Sequence, residues 1–245
     1  SSVRQGLTTL VTGNCGHGPA PAPNKELTKV VTIGFNEDWG INFDWDTFEE
    51  YLDAIFARGQ SINVAPLVSH GAVRLAAMGF EAREPSSSEL DMMKSLVADS
   101  MSACAVGFST GSSYYPGPWT STEELIEICK LVKDLDGVYM SEPRRANPER
   151  AFKGGGIAEA LEITEQSGVK LHIAHYRTDP TTAGDIKAHM SLIDSSKRSG
   201  SDVSLDIYPY PSGSTIPVSY IPSWAQDGGP NKLLERLKNP LEKKK

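Results

Sequence analysis

Apolar runs in this sequence repeatedly end in side chains that can do chemistry. Cys15 follows the run 8–12, His70 follows 61–68, Ser109 follows 105–108, Glu142 follows 137–140, His175 follows 169–174 and Tyr208 follows 202–207. Ordinary turns are built from Gly, Asn, Asp, Ser and Pro. A series containing Cys, two His and Glu therefore exceeds what ending a strand requires. A neutral imidazole at His175 is a good zinc ligand, and a hydrogen-bonded buried histidine is the alternative. Alternation along Leu171-His172-Ile173-Ala174-His175 sets His172 and Ala174 on one face and Leu171, Ile173 and His175 on the other. His175, as the terminal residue, is expected over the mouth of a barrel, and His172, inside the strand and out of phase, reads as structural. A free cysteine is commonly a small buried hydrophobe, which is the reading for Cys129 on a helix face. Cys15 differs because it ends a strand between Asn14 and Gly16, where a thiolate can face a ligand. Glu142 precedes Pro143-Arg144-Arg145. It can bind metal, act as a base or pair with arginine, and the arginines can instead grip a substrate carboxylate in their forked geometry.

The elements that must position these residues follow from the pattern. Asp46-Thr47-Phe48-Glu49, Ser86-Ser87-Ser88-Glu89 and Thr120-Ser121-Thr122-Glu123 have capping-box spacing and open helices. Helices are further expected over 157–166, 185–198 and 231–238, with Gly168 and Gly200 closing the first two. Residues 29–34 read as an extra short strand. Strands alternating with helices imply βα units and a parallel sheet, whose ligands bind at the carboxyl ends of the strands. The fold class is α/β, with about six βα units. Gly154-Gly155-Gly156 does not directly follow a strand, so it reads as a flexible lead-in to a helix rather than a phosphate loop. Phe108-Ser109-Thr110-Gly111 is not a nucleophile elbow.

Composition narrows the classes. The 245 residues suit one large domain, and 39% hydrophobic with 22% charged residues is an ordinary globular balance. A net charge of −7 argues against nucleic acid as the main partner. No apolar run is long enough for a transmembrane helix, so no membrane partner is expected. Three cysteines without paired spacing point to a reducing compartment, most simply the cytoplasm. The chain opens at Ser1 without an initiator Met, as a segment of a longer polypeptide would.

The segment 3–16, ending Thr12-Gly13-Asn14-Cys15-Gly16, resembles the N-acyl-D-amino-acid deacylases (D-aminoacylases) of the metal-dependent amidohydrolase superfamily. The resemblance continues through Phe48-Glu49-Glu50-Tyr51-Leu52, Val64-Ala65-Pro66-Leu67-Val68-Ser69-His70-Gly71, Gly107-Phe108-Ser109-Thr110-Gly111 and Tyr115-Pro116-Gly117. It resumes at Ile173-Ala174-His175 and at Asp206-Ile207-Tyr208-Pro209-Tyr210 with Gly213-Ser214. It implies a TIM-like (β/α)8 barrel carrying one or two zinc ions and hydrolysis of a linear amide, with a small N-acyl amino acid as substrate. It also implies that Cys15 and His175 are metal ligands, that Arg177 meets the substrate carboxylate, and that Tyr208 and Ser214 bind substrate. Arg144 and His70 join the candidate substrate-binding set.

Departures from the family pattern shape the expectation. Where relatives carry Thr-His-Met-Arg, this chain has Ser141-Glu142-Pro143-Arg144, so Glu142 stands in place of a histidine ligand and can still offer oxygen to zinc. The family's His-x-His pair and its general-base Asp are expected outside residues 1–245. The chain is thus expected to be a partial barrel, without the first and last strands or the flanking β-sandwich, and inactive by itself. Two alternatives stay open. One is a cyclic-amide hydrolase of the dihydroorotase or hydantoinase kind, disfavoured because no lysine stands at a strand end. The other is a catalytically silent α/β module that binds a small acid or a partner chain.

Overall fold

The computed structural model describes residues 3–32, 42–144, 148–176 and 186–244. Six parallel strands form one sheet in sequence order: β1 (Thr9–Thr12), β2 (Asn63–Ser69), β3 (Gly107–Gly111), β4 (Val138–Glu142), β5 (Lys170–Ile173) and β6 (Val203–Leu205). The helices are α1 (Lys25–Val30), α2 (Phe48–Phe56), α3 (His70–Met78), α4 (Ser87–Ser102), α5 (Thr122–Asp134), α6 (Gly156–Ser167), α7 (Ile186–Arg198), α8 (Ser223–Gln226) and α9 (Gly229–Lys238). Every neighbouring strand pair is parallel and consecutive in the chain. The alternation of apolar runs and helices accounts for the parallel βα units, and the six strands in sequence order form an incomplete barrel of the (β/α)8 type that the resemblance implies. Among the described residues, no helix is long and apolar enough to cross a membrane.

Period-2 alternation divides the sheet. Val68, Phe108, Tyr139, Leu171 and Ile173 face the helices, packing with Val97, Leu125, Ile128 and Ile163 in the main core. The opposite, concave face carries a small cluster of Leu67, Met140 and Ala174. Register fixes the row of this face: Ser69 lies opposite Ser109, Ser109 opposite Met140, Met140 opposite His172, and His172 opposite Ser204. In the same phase, Gly111 pairs with Glu142 at the carboxyl end. Burial of the helix-side row stabilises the sheet, at roughly 1.5–3 kcal/mol for each large apolar side chain. Beyond that small cluster, the concave face carries polar groups such as Ser69, Ser109, His172 and Ser204.

Helix starts obey the expected chemistry with small shifts. Ser86 and Glu89 form a capping box on α4. The box on α2 is Thr47 with Glu50, and the N-cap of α5 is Ser121, each one residue later than the spacing indicated. Such caps contribute about 1 kcal/mol each. Gly168 closes α6 in the left-handed conformation. Two readings are corrected. The stretch expected as a strand at 29–34 begins as helix, since α1 runs through Lys29 and Val30 with Asn24 accepting from the Leu27 N–H; residues 33 and 34 lie outside the described residues. The apolar Val31 that suggested a strand is buried instead against Ala72, Leu75, Tyr115 and Trp119. The second correction is α3, which starts directly at His70 where a loop was expected.

Candidate metal centre

Cys15, Glu142 and His175 come together at the carboxyl ends of β1, β4 and β5, with one ligand atom from each lying within 4.8 Å of the others. His175 Nδ1 is 3.7 Å from Glu142 Oε1. Ligands of a tetrahedral zinc ion stand roughly 3.3–3.8 Å apart at ordinary zinc bond lengths. Glu142 is buried, while Cys15 and His175 are partly buried.

Each residue reaches this point by a different local device. Glu142 is the last residue of β4 and points to the concave face by simple alternation. Cys15 sits in a turn with φ 59°, flanked by Gly13 at φ 80° and Gly16 at φ 68°. The Ser109 hydroxyl clamps that turn, donating to the Gly13 carbonyl and accepting from the Gly16 N–H at 3.2 Å. Gly71 N–H adds a bond to the Gly16 carbonyl at 3.1 Å. Gly111 packs so closely that a Cβ there would lie 2.0 Å from the Cys15 carbonyl oxygen. His175 also has a positive φ, 92°. Unbroken alternation would have sent it to the helix side with Leu171 and Ile173; the left-handed turn after β5 brings it into the cleft instead. His172 is the β5 residue in phase with the concave face, where it meets Ser204 and Asp206.

The electrostatics fit a cation. Burial pushes the Cys15 thiol pKa up, and the charge and hydrogen bond of Glu142, followed by the charge of Asp206, push it further. A thiolate and a carboxylate held this close favour being ionised together only when a positive charge lies between them. Sulfur, oxygen and imidazole nitrogen are a usual zinc donor set. The residues present therefore fit the metal that the sequence resemblance implies.

Beside these three opens a cleft of about 650 Å³ lined by Tyr114, Glu142, His175, Tyr208, Ser214 and Tyr220, among others. Tyr208 packs edge-on to His175, ring centroids 5.5 Å apart, and stacks with Tyr210. Two residues expected at the substrate are elsewhere. His70 is buried at the start of α3, its Nε2 2.8 Å from Glu124 Oε1, and Glu124 also pairs with Arg74. The Arg144 guanidinium is fully buried, bonded to Glu159 (2.9 Å from Nε to Oε2) and to the Thr120 carbonyl. Both are occupied in holding helix starts to strand ends, because an ionised group inside a core needs such partners. Arg145 and Arg177 lie outside the described residues. Sequence reasoning overlooked Asp206, which accepts from the His175 backbone N–H at 3.0 Å and lies 3.1 Å from His172 Nε2. The signal was its in-phase position two residues beyond Ser204 on the concave face.

None of the protein-family models matches the chain. Curated relatives do. An N-acyl-D-glutamate deacylase of Alcaligenes xylosoxydans xylosoxydans is 34% identical over 218 residues, 86% of this chain and 42% of the relative. A D-aminoacylase of the same organism is 33% identical over 219 residues, 87% of this chain and 43% of the relative. Among solved structures, a D-aminoacylase described as defining a novel subset of amidohydrolases superposes with a TM-score of 0.72 at 31% identity, covering 86% of this chain and 43% of that one. The N-acyl-D-glutamate deacylase of Bordetella bronchiseptica, solved with zinc and a phosphonate mimic of the tetrahedral intermediate, gives a TM-score of 0.71 at 30% identity, over 86% of this chain and 43% of that one. The chain spans less than half the length of these relatives. In sequence and in fold the chain is similar to these N-acyl-D-glutamate deacylases and D-aminoacylases over that part of their length.

Proposed function

We propose, from this kinship, that the chain carries the Cys15–Glu142–His175 part of a zinc centre in an enzyme that hydrolyses the amide bond of N-acyl-D-amino acids. The observation that carries the reading is the convergence of those three side chains to within 4.8 Å of one another at the strand ends of a barrel of the relatives' type. When bound, zinc lowers the pKa of a water and polarises the scissile carbonyl. The chain's own residues would hold the ion and frame the adjoining cleft. Cys15 and Glu142 supply anionic ligands and His175 a neutral one. Tyr208 packs edge-on against the His175 ring and restricts its rotation. Tyr114, Tyr210 and Ser214 line the adjoining cleft with hydroxyl groups that can orient the amide and the substrate's carboxylate. Arg177 is assigned to that carboxylate by resemblance. His70, bonded to Glu124, and Arg144, bonded to Glu159, anchor the ends of β2 and β4. One or two ions fit the reading, as the D-aminoacylase relative has been described with a binuclear centre activated by one metal.

Metal content of the purified full-length protein tests it. Zinc is expected in the wild type and lost on Cys15→Ala or His175→Ala, along with hydrolysis of N-acyl-D-amino acids. Full zinc retention in both variants would sink the assignment.

A further inference from the structure

We propose that Asp206 is the positioning residue for His175: its carboxylate, oriented by the His172 imidazole, holds the His175 backbone in the left-handed turn that aims the ring at Cys15 and Glu142. The inference rests on the zinc-centre reading above. A non-glycine residue at φ 92° is held against its preference by its surroundings. Three bonds join Asp206 to this turn. Its N–H donates to the Ile173 carbonyl at 3.0 Å, its carbonyl accepts from the Tyr176 N–H at 2.8 Å, and its Oδ1 accepts from the His175 N–H at 3.0 Å. The first two are backbone bonds that survive any side-chain change. The third depends on the carboxylate alone.

The carboxylate is itself fixed. Oδ2 lies 3.1 Å from His172 Nε2, and His172 Nδ1 lies 2.8 Å from Ser204 Oγ. A carboxylate only accepts, so Nε2 carries the proton. With one oxygen on the His175 backbone and the other on His172, Asp206 acts through its neighbours rather than as a ligand. It thereby ties β5 to β6 on the concave face at the level of the metal centre. Groups behind metal ligands typically govern affinity about ten- to hundred-fold.

The test measures the zinc dissociation constant of the full-length protein by competition with a chromophoric chelator. Asp206→Ala is expected to weaken binding about ten- to hundred-fold, with little change in the thermal unfolding of the metal-free protein, since the backbone bonds remain. Asp206→Asn keeps a carbonyl oxygen for the His175 N–H and is expected to recover most of the loss. Wild-type affinity in Asp206→Ala overturns the positioning role alone. If Asp206→Ala does not fold, His172→Ala removes the orienting partner from a side chain at the surface, and unchanged affinity there overturns the role equally. Absence of zinc from the wild type, or undiminished binding by Cys15→Ala, brings down the metal-centre reading and this inference with it.

Discussion

Cys15 and His175 both end a strand, both carry a positive φ, and both turn a ligand atom toward Glu142, yet their turns are built from different materials. The Cys15 turn is enclosed by backbone. A Cβ on Gly13 would lie 2.5 Å from the Leu67 carbonyl oxygen, one on Gly16 2.9 Å from the Gly111 nitrogen, and one on Gly111 2.0 Å from the Cys15 oxygen. Close packing and one serine hydroxyl leave it a single shape. The His175 turn is described by its hydrogen bonds. Its backbone N–H is held by the carboxylate of Asp206, whose side chain is 47% exposed. Each left-handed non-glycine residue costs on the order of 1–3 kcal/mol. Packing offsets that cost at Cys15, and a charged hydrogen bond offsets it at His175. The difference teaches where each ligand's precision resides: in residue size on one side of the site, in residue charge on the other.

The comparison can be broken most forcefully at Gly111. Gly111→Ala drives a methyl group into the Cys15 backbone, where no flexible side chain can give way. We expect a loss of about 3 kcal/mol, the upper end for overpacking, with zinc binding lost as Cys15 is displaced. Urea unfolding with a parallel metal assay checks it, and an alanine variant of unaltered stability that still binds zinc would mean the Cys15 turn is not fixed by packing. Ser109→Ala is the next step down. It removes the hydroxyl between Gly13 and Gly16, and leaving those buried backbone groups unsatisfied costs about 1–3 kcal/mol. Stability and zinc affinity should fall together in Ser109→Ala, whereas Asp206→Ala should lose affinity alone. Matching profiles in the two variants would erase the distinction between the turns.

How much of this was legible beforehand follows the same division. Helix-side residues repeat with a clear period, so the six strands and most helices could be read directly, and capping boxes located helix starts to within a residue. Cys15, Glu142 and His175 were visible as uncommon residue types at strand ends. Their convergence was implied by the family resemblance and not by alternation, because it depends on two left-handed turns, at Cys15 and His175, that alternation does not describe. Alternation grouped His175 with Leu171 and Ile173, and its terminal position is what set it over the barrel mouth; His172, read as structural, is the residue that reaches Asp206. The partners of His70 and Arg144 were not legible, for another reason. A charged residue near a strand end looks the same in sequence whether it meets a substrate or a buried carboxylate, and only Glu124 and Glu159, far along the chain on helices α5 and α6, decide between them.

Those buried pairs give the gentlest probe of the comparison, through pH. Burial alone would raise the Glu124 pKa, but hydrogen bonds and charge from His70 and Arg74 outweigh it, and the carboxyl is held below its ordinary value of 4.5. A depressed folded-state pKa contributes stability above the unfolded value and loses it as pH falls through the folded one. Stability should therefore hold from neutral pH to near 4.5 and decline below it. The Glu89 carboxyl, bonded to Arg83 and the Ser86 N–H, is held at about 2, and its contribution declines over a similar window, but this pair lies at the surface, with Arg83 exposed. Salt distinguishes the two: at about 1 M the screening length is near 3 Å, which weakens an exposed pair far more than a buried one. The decline that persists in high salt should disappear in Glu124→Gln. Glu124 supports His70, and the next residue, Gly71, bonds to the Gly16 carbonyl, so protonation is transmitted to the Cys15 turn. Hydrogen exchange read residue by residue, and corrected for the intrinsic pH effect, should show the Gly71 amide losing protection below pH 4.5 before the Tyr176 amide beside His175 does. Simultaneous loss at both would mean that the two turns share one support rather than two.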